Sequence, residues 1–306
     1  MPTPSNGARI RLVMRFFRSS SATSTRERAA TATLEALALG ADDYVTKPSH
    51  VNNVSEGSQR IREQLIPKIK ALCRRQAVLP MSSVHVSAAA LVRPAQRSFQ
   101  PAVVAIGTST GGPNALAEIL PRIPGDFPLP ILIVQHMPPV FTAFLAERLS
   151  ATSRIPVKEA SPRAEVGPGR AWIAPGDFHM IVRREGARVW LSTIQIPPEN
   201  SCRPSADVLF RSVAEVYGPR SLAVVLTGMG QDGLRGCERI REVGGQIMVQ
   251  DEASSVIWGM PGAVATAGIA DRVLPLAEIA DEIIRKAGSP VPSEPRVATR
   301  VCGQAV

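Results

Sequence analysis

No stretch of this 306-residue chain approaches the roughly 20 consecutive apolar residues that a membrane-spanning helix requires. The opening residues, Met1-Pro2-Thr3-Pro4-Ser5, lack the charged start and apolar core of a signal peptide, so export is not expected and a cytoplasmic protein is. Cysteine is sparse: Cys73, Cys202, Cys237 and Cys302 are scattered, with no C-x-x-C pair. That spacing argues against a disulfide framework or a zinc site and for thiols in a reducing compartment. Acidic residues are scarce at the front, where the first is Glu27 and no Asp precedes Asp42. The first 100 residues hold 15 of the 35 Lys and Arg but only 6 of the 26 Asp and Glu. Residues 101–287 are nearly balanced, 18 against 19, so the net charge of +9 belongs to the leading segment. There the basic residues are spread through weak patterning rather than gathered on a folded face, and nucleic-acid binding is not expected.

What the chain does have is an organising turn, Val103-Val104-Ala105-Ile106-Gly107-Thr108-Ser109-Thr110-Gly111-Gly112-Pro113. An apolar strand runs into small residues holding one serine, and Pro113 then opens the amphipathic segment 114–120. Proline suits a first helical turn because its missing N–H would be unpaired there. Ser109 is thereby placed at the carboxyl end of a strand, beside helix N–H groups that favour developing negative charge. The glycines fail the dinucleotide spacing G-x-G-x-x-G, and no Lys follows as in a P-loop. They do fit G-x-S-x-G at Gly107, Ser109 and Gly111. Such turns also serve simply for close helix packing or to cradle a phosphate.

Around this turn the chain alternates strand and helix. Residues 1–28 show little periodicity. A helical run over 29–39 ends at Gly40, and a short strand follows over 43–46. Residues 57–75 read as a basic amphipathic helix, with Ile61, Leu65, Ile69 and Leu72 at helical spacing. It can pack on a neighbour or seek a membrane surface, and packing is the preferred reading. A Pro- and Ser-containing linker runs to residue 100. Beyond it come strands at 131–135, 222–226 and 246–250, with helices at 141–149, 205–217, 234–243, from 261, and over 276–286. Short strands at 172–173, 180–182 and 188–191 suggest an antiparallel hairpin insertion, and Ser205 reads as a helix cap. The expected fold is α/β, a doubly wound, mostly parallel sheet with helices on both faces and a small antiparallel hairpin insertion.

Three polar residues share one setting. Ser109, His136 and Asp232 each lie just past the end of an apolar strand, where open α/β sheets make their ligand crevice. An imidazole supplies the base a serine hydroxyl needs, and a carboxylate behind it fixes its tautomer and stabilises the imidazolium. Each residue also has a plainer use. Asp232 could cap the helix that follows, His136 could be a surface histidine, and His179 is a rival base. Met229 is more often core filler. No histidine follows Asp232, so the Ser, acid, His order of an α/β-hydrolase is not met.

Two resemblances follow from particular motifs. The segment from Ala36 to Pro48, with Asp42-Asp43-Tyr44-Val45-Thr46-Lys47-Pro48, resembles the end of a response-regulator receiver domain, in which the lysine matching Lys47 contacts the phosphoryl group. The family's phosphoacceptor and acidic pocket lie upstream and have no counterpart here, so a truncated receiver remnant is expected. The longer motifs Gly107 to Pro113, Val134-Gln135-His136-Met137, Ala174-Pro175-Gly176-Asp177 with His179, Arg203 to Phe210, Leu226 to Gly233 and Trp258 to Gly262 together resemble the CheB family of chemotaxis protein-glutamate methylesterases.

That resemblance spans about residues 102–287 and implies Ser109 as nucleophile, His136 as base and Asp232 as orienting acid. Backbone N–H groups in the Thr110 and Met229 neighbourhood are the candidate oxyanion donors. It implies hydrolysis of glutamate methyl esters on cytoplasmic chemoreceptor helices, deamidation of receptor glutamines, and no cofactor or metal. A chemotaxis histidine kinase is a further partner of the family, which the truncated receiver argues against. Two other readings are a non-catalytic binding module and a serine esterase for small molecules. The expected organisation is a receiver remnant at 1–50 that folds poorly, a basic helix and linker at 51–100, a catalytic domain at 101–287 and a disordered tail at 288–306. With no phosphorylatable receiver over the crevice, constitutive activity is expected.

Overall fold

The structure, a computed structural model, describes residues 12–14, 22–45, 54–74 and 99–288. Lys47, Cys302, most of the expected linker and nearly all of the expected tail lie outside the described residues. The front end comprises β1 (Leu12–Met14), α1 (Ala22–Ala38), β2 (Asp43–Val45) and α2 (Val54–Arg74), with β1 and β2 paired in parallel. Then follow β3 (Val103–Thr108), α3 (Gly112–Ile119), β4 (Ile131–Gln135), α4 (Phe141–Thr152), β5 (Val157–Glu159) and β6 (Ala171–Ile173). β7 (His179–Glu185), β8 (Arg188–Ile194), α5 (Ala206–Tyr217), β9 (Ser221–Val225) and α6 (Leu234–Glu242) come next. β10 (Gln246–Gln250), α7 (Met260–Thr266), β11 (Arg272–Leu274) and α8 (Leu276–Lys286) complete the order.

Seven strands form one parallel sheet in the order β11-β10-β9-β3-β4-β6-β5. The central strands are buried along their whole length and mostly apolar because helices cover both faces. Alternation along β3 sends Val104 and Ile106 to one side and Val103 and Ala105 to the other. The first side packs against Leu116, Leu145 and Ile283 of α3, α4 and α8, the second against Phe210, Ile240 and Val264 of α5, α6 and α7. Strand order runs one way from β3 through β4 and the other way through β9, so the β3 end is a topological switch point, where such sheets open a crevice.

The insertion is smaller than the sequence suggests. β7 and β8 form the antiparallel hairpin, closed by Gly186 at φ 62°, and it packs on α5 through Val182 N–H to Ser212 Oγ at 3.1 Å. Trp172 and Ile173 instead lie in β6, paired in parallel with β4 through Leu132↔Trp172 and Ile133↔Ile173. Three-residue strands carry too little alternation for their partner to be read from pattern, and tertiary pairing decides. The helical run expected from Ala29 begins at Ala22. Ala30, Leu34 and Leu37 of α1 are buried in the same cluster as α3 and α4, with Arg148 Nη1 donating to the Leu34 carbonyl at 2.6 Å. Among the described residues no helix is long and apolar enough to cross a membrane.

Candidate active site

The loop after β3 is fixed by its backbone. Ser109 N–H donates to the Thr227 carbonyl at 3.0 Å, while its own carbonyl accepts Gly112 N–H and Gln135 Nε2, both at 2.9 Å. Gly111, at φ 80°, makes a left-handed turn that L side chains rarely adopt, and this lets α3 start three residues beyond the serine. A Cβ on Gly228 would come within 2.9 Å of Ser109 Cβ, so the loop after β9 approaches the serine only because that residue is glycine. The Ser109 hydroxyl makes no hydrogen bond among the described residues.

His136 continues β4, its N–H donating to the Thr108 carbonyl at 3.1 Å. Its Nε2 is 2.7 Å from Asp232 Oδ2, and its Nδ1 is 3.5 Å from Cys202 Sγ. Asp232 is buried and accepts four further donors: Asn200 Nδ2 at 3.0 Å, Ser205 Oγ at 2.7 Å, Ala206 N–H at 2.7 Å and Asp207 N–H at 3.2 Å. It therefore caps α5, the helix across the crevice, and not α6, the one that follows it. The positive end of α5 favours the carboxylate. Asp207, in the first turn of α5, returns the arrangement by accepting Gly236 N–H of α6 at 2.6 Å. The Ser205 hydroxyl does not cap its own helix. It donates to Asp232, and the Ala206 and Asp207 N–H groups that a cap would accept go to the same carboxylate.

Burial would raise the Asp232 pKa, but the His136 bond and charge, with the donors from Ser205 and Ala206, hold its carboxyl below the usual range. Burial likewise works against imidazolium at His136. Hydrogen bonds and charge from Asp232 and Cys202 outweigh it and push the pKa up to about 10. At Asp207 burial dominates and raises the pKa to about 6.

His179, the rival base, is fully committed elsewhere. Its Nδ1 accepts Ser205 N–H and its Nε2 lies on the Pro197 carbonyl, each at 3.2 Å, and burial lowers its pKa. Asp177 pairs with Arg203, not with His179, its Oδ1 lying 3.0 Å from Nε. The loops of Thr110 and Met229 meet beside Ser109, joined by Thr227 Oγ1 donating to the Thr110 carbonyl at 2.9 Å. Among the described residues the N–H groups of Thr110 and Met229 have no protein acceptor. No cluster of His, Cys, Asp and Glu among the described residues is arranged to hold a metal.

Side chains of the front end reach the crevice. Thr110 Oγ1 donates to Asp43 Oδ2 at 2.8 Å, and Lys68 Nζ of α2 pairs with the same oxygen at 2.8 Å. Tyr44 stacks on Phe141, with ring centroids 5.5 Å apart and planes 4° from parallel. Asp43, Tyr44 and Lys68 thus line the crevice together with Ser109, Gln135 and His136. These contacts need only an acceptor on β2 and a cation on α2, and not the upstream acidic pocket.

Pattern reading missed Gln135, Asn200 and Cys202. Gln135 is the last residue of a buried strand, and a polar residue in such a run is a signal that could have found it. Asn200 and Cys202 sit in a loop without periodicity, and only the Arg203-Pro204-Ser205 motif next to them points there.

The CheB methylesterase family model matches residues 104–283. A protein-glutamate methylesterase/protein-glutamine glutaminase of Trichodesmium erythraeum is 56% identical over 265 residues, covering 86% of this chain and 75% of that protein. One of the same name from a Nocardioides species is 47% identical over 272 residues, covering 87% and 74%. The crystal structure of the Thermotoga maritima CheB methylesterase catalytic domain superposes with a TM-score of 0.60 at 42% identity, covering 61% of this chain and 98% of that one.

Proposed function

The chain belongs to the CheB methylesterase family, and from that membership we propose that it hydrolyses methyl esters of glutamate side chains on chemoreceptors, with Ser109 as nucleophile, His136 as base and Asp232 as the acid that orients it. It also deamidates receptor glutamines, as the names of its relatives suggest. Its place is the cytoplasm, where the receptor's methylated helices lie. One observation carries the assignment of residues. The His136–Asp232 pair at 2.7 Å stands at the switch-point crevice, beside a serine hydroxyl that makes no hydrogen bond among the described residues.

The chemistry follows from the atoms. Asp232 holds Nε2, so neutral His136 takes the Ser109 proton on Nδ1 as Oγ adds to the ester carbonyl. The carbonyl oxygen becomes an oxyanion within reach of the Thr110 and Met229 N–H groups and the start of α3. The imidazolium, stabilised by Asp232, protonates the departing methoxide and methanol leaves. Water then enters by the same base and releases the glutamate carboxylate. With glutamine the leaving group is ammonia.

Methanol release from a methylated receptor fragment tests this. Wild type is expected to release methanol and Ser109→Ala to release none while keeping an unchanged circular dichroism spectrum. Release by the alanine variant would overturn the nucleophile. A base whose pKa is pushed up to about 10 is protonated at neutral pH, so its reactive form grows as pH rises. kcat/KM is therefore expected to keep climbing above pH 7. A profile that levels off near the ordinary imidazole value of about 6.5 would contradict it.

A further inference from the structure

With Nε2 committed to Asp232, one imidazole nitrogen remains for the nucleophile, and in this structure it already has a neighbour. Cys202 Sγ lies 3.5 Å from His136 Nδ1, within range for a hydrogen bond to sulfur, while the Ser109 hydroxyl has no partner among the described residues. The cysteine is held there by its loop. Cys202 and Glu199 exchange backbone hydrogen bonds at 2.8 and 3.1 Å, and Glu199 Oε1 accepts Arg211 Nη1 of α5 at 2.7 Å. Between them Asn200 reaches both Asp207 and Asp232, at 2.8 and 3.0 Å. The loop that carries the thiol is thus tied to the helix that Asp232 caps, and to Asp232 itself.

We propose that Cys202 is a positioning residue for the base: its sulfur docks on Nδ1 and holds the ring with Nε2 on Asp232, and Ser109 must displace it from Nδ1 to be deprotonated. This rests on the reading of His136 as the base. Two partners face the ring nitrogens, Asp232 from the loop after β9 and Cys202 from the loop before α5. Asp43 of β2 and Lys68 of α2 face the crevice as an ion pair and do not touch the ring. When His136 is protonated, both ring N–H groups have acceptors, carboxylate on one edge and sulfur on the other. In the neutral ring Nδ1 accepts the Cys202 S–H; in the imidazolium Nδ1–H turns to the sulfur, which joins Asp232 in raising the His136 pKa, so its removal makes the imidazolium easier to deprotonate.

The full-length Ser109→Ala protein offers a test without turnover. The His136 ring protons are followed by NMR across pH, with and without Cys202→Ala, and with Cys202→Val as a variant that refills the volume. Both replacements are expected to lower the His136 midpoint by roughly one pH unit, and Cys202→Ser, which restores a polar atom, to recover part of it. In the Ser109 protein the acid limb of kcat/KM is expected to move to lower pH with them. Midpoints that coincide with the parent in both the Ala and Val proteins would overturn the proposal. Methanol release by the Ser109→Ala protein would instead overturn the nucleophile and leave this titration standing, so the two failures are distinguishable.

Discussion

Asp232→Ala is expected to lower kcat by about 10⁴ and to destabilise the fold by about 3–5 kcal/mol, the range for stripping one partner from a buried charge cluster. The activity loss arises because the Nε2 edge of His136 loses its 2.7 Å acceptor, so neither tautomer nor ring orientation is fixed. The stability loss has a separate source. Asn200 Nδ2, Ser205 Oγ and the N–H groups of Ala206 and Asp207 all donate to this carboxylate, and the start of α5 is left without its cap. Asp232→Asn keeps the shape, but its amide nitrogen must face one of these donors, so it is expected to lose activity with a smaller loss of stability. Chemical denaturation beside methanol release separates the two. Full turnover in a destabilised Asp232→Ala protein would show that another group orients His136.

The same pair fixes a pH dependence of stability. The folded pKa of Asp232 is depressed, so its contribution is present above the unfolded carboxylate value of about 4 and is lost as pH falls through the folded one. His136 is raised, so its contribution is complete below its unfolded value of about 6.5 and is lost as pH rises through about 10. The two overlap fully between about pH 4 and 6.5. Melting temperature is expected to peak there by comparison with Asp232→Ala, in which both dependences weaken.

The three proposed catalytic residues stood out in the sequence because each follows a strand whose apolar run announces it, and a parallel sheet brings strand ends together whatever the loop lengths between them. The partners of Asp232 did not. Ser205 reads locally as the cap of its own helix, and only the packing of α5 against α6 shows that a carboxylate from 27 residues away takes its proton. Cys202 gives no periodic signal, and its proximity to His136 depends on the Asn200 and Glu199 contacts that shape its loop. At the front, the helix and short strand before Lys47 were legible as elements. Their destination was not, because Asp43 engages Thr110, Tyr44 engages Phe141 and Lys68 engages Asp43 through contacts whose match no local pattern encodes.

That match leads to the second large effect. Asp43→Ala is expected to raise kcat/KM toward methylated receptor about tenfold, since a hydrogen bond to a charged group is worth about 1.5–3 kcal/mol and each 1.4 kcal/mol multiplies the open fraction about tenfold. Removing the carboxylate frees Thr110 Oγ1, the one side-chain bond from β2 to the serine loop, and takes from Lys68 its ion-pair partner within the front end, while the Tyr44 stack and the Arg148 bond to Leu34 remain. Tyr44→Ala removes the stack on Phe141, worth about 0.5–1.5 kcal/mol beyond burial, and is expected to act in the same direction with a smaller gain. Access is the quantity at stake, so substrate size discriminates. A receptor helix is bulkier than a small ester, so clearing the mouth of the crevice is expected to matter more for the receptor. The gain is therefore expected to be several-fold larger for the receptor than for a small ester assayed on the same variants. Equal gains for both would mean that Asp43 acts on the Thr110 loop and the oxyanion donors. A loss for both would mean that β2 supports the site it covers.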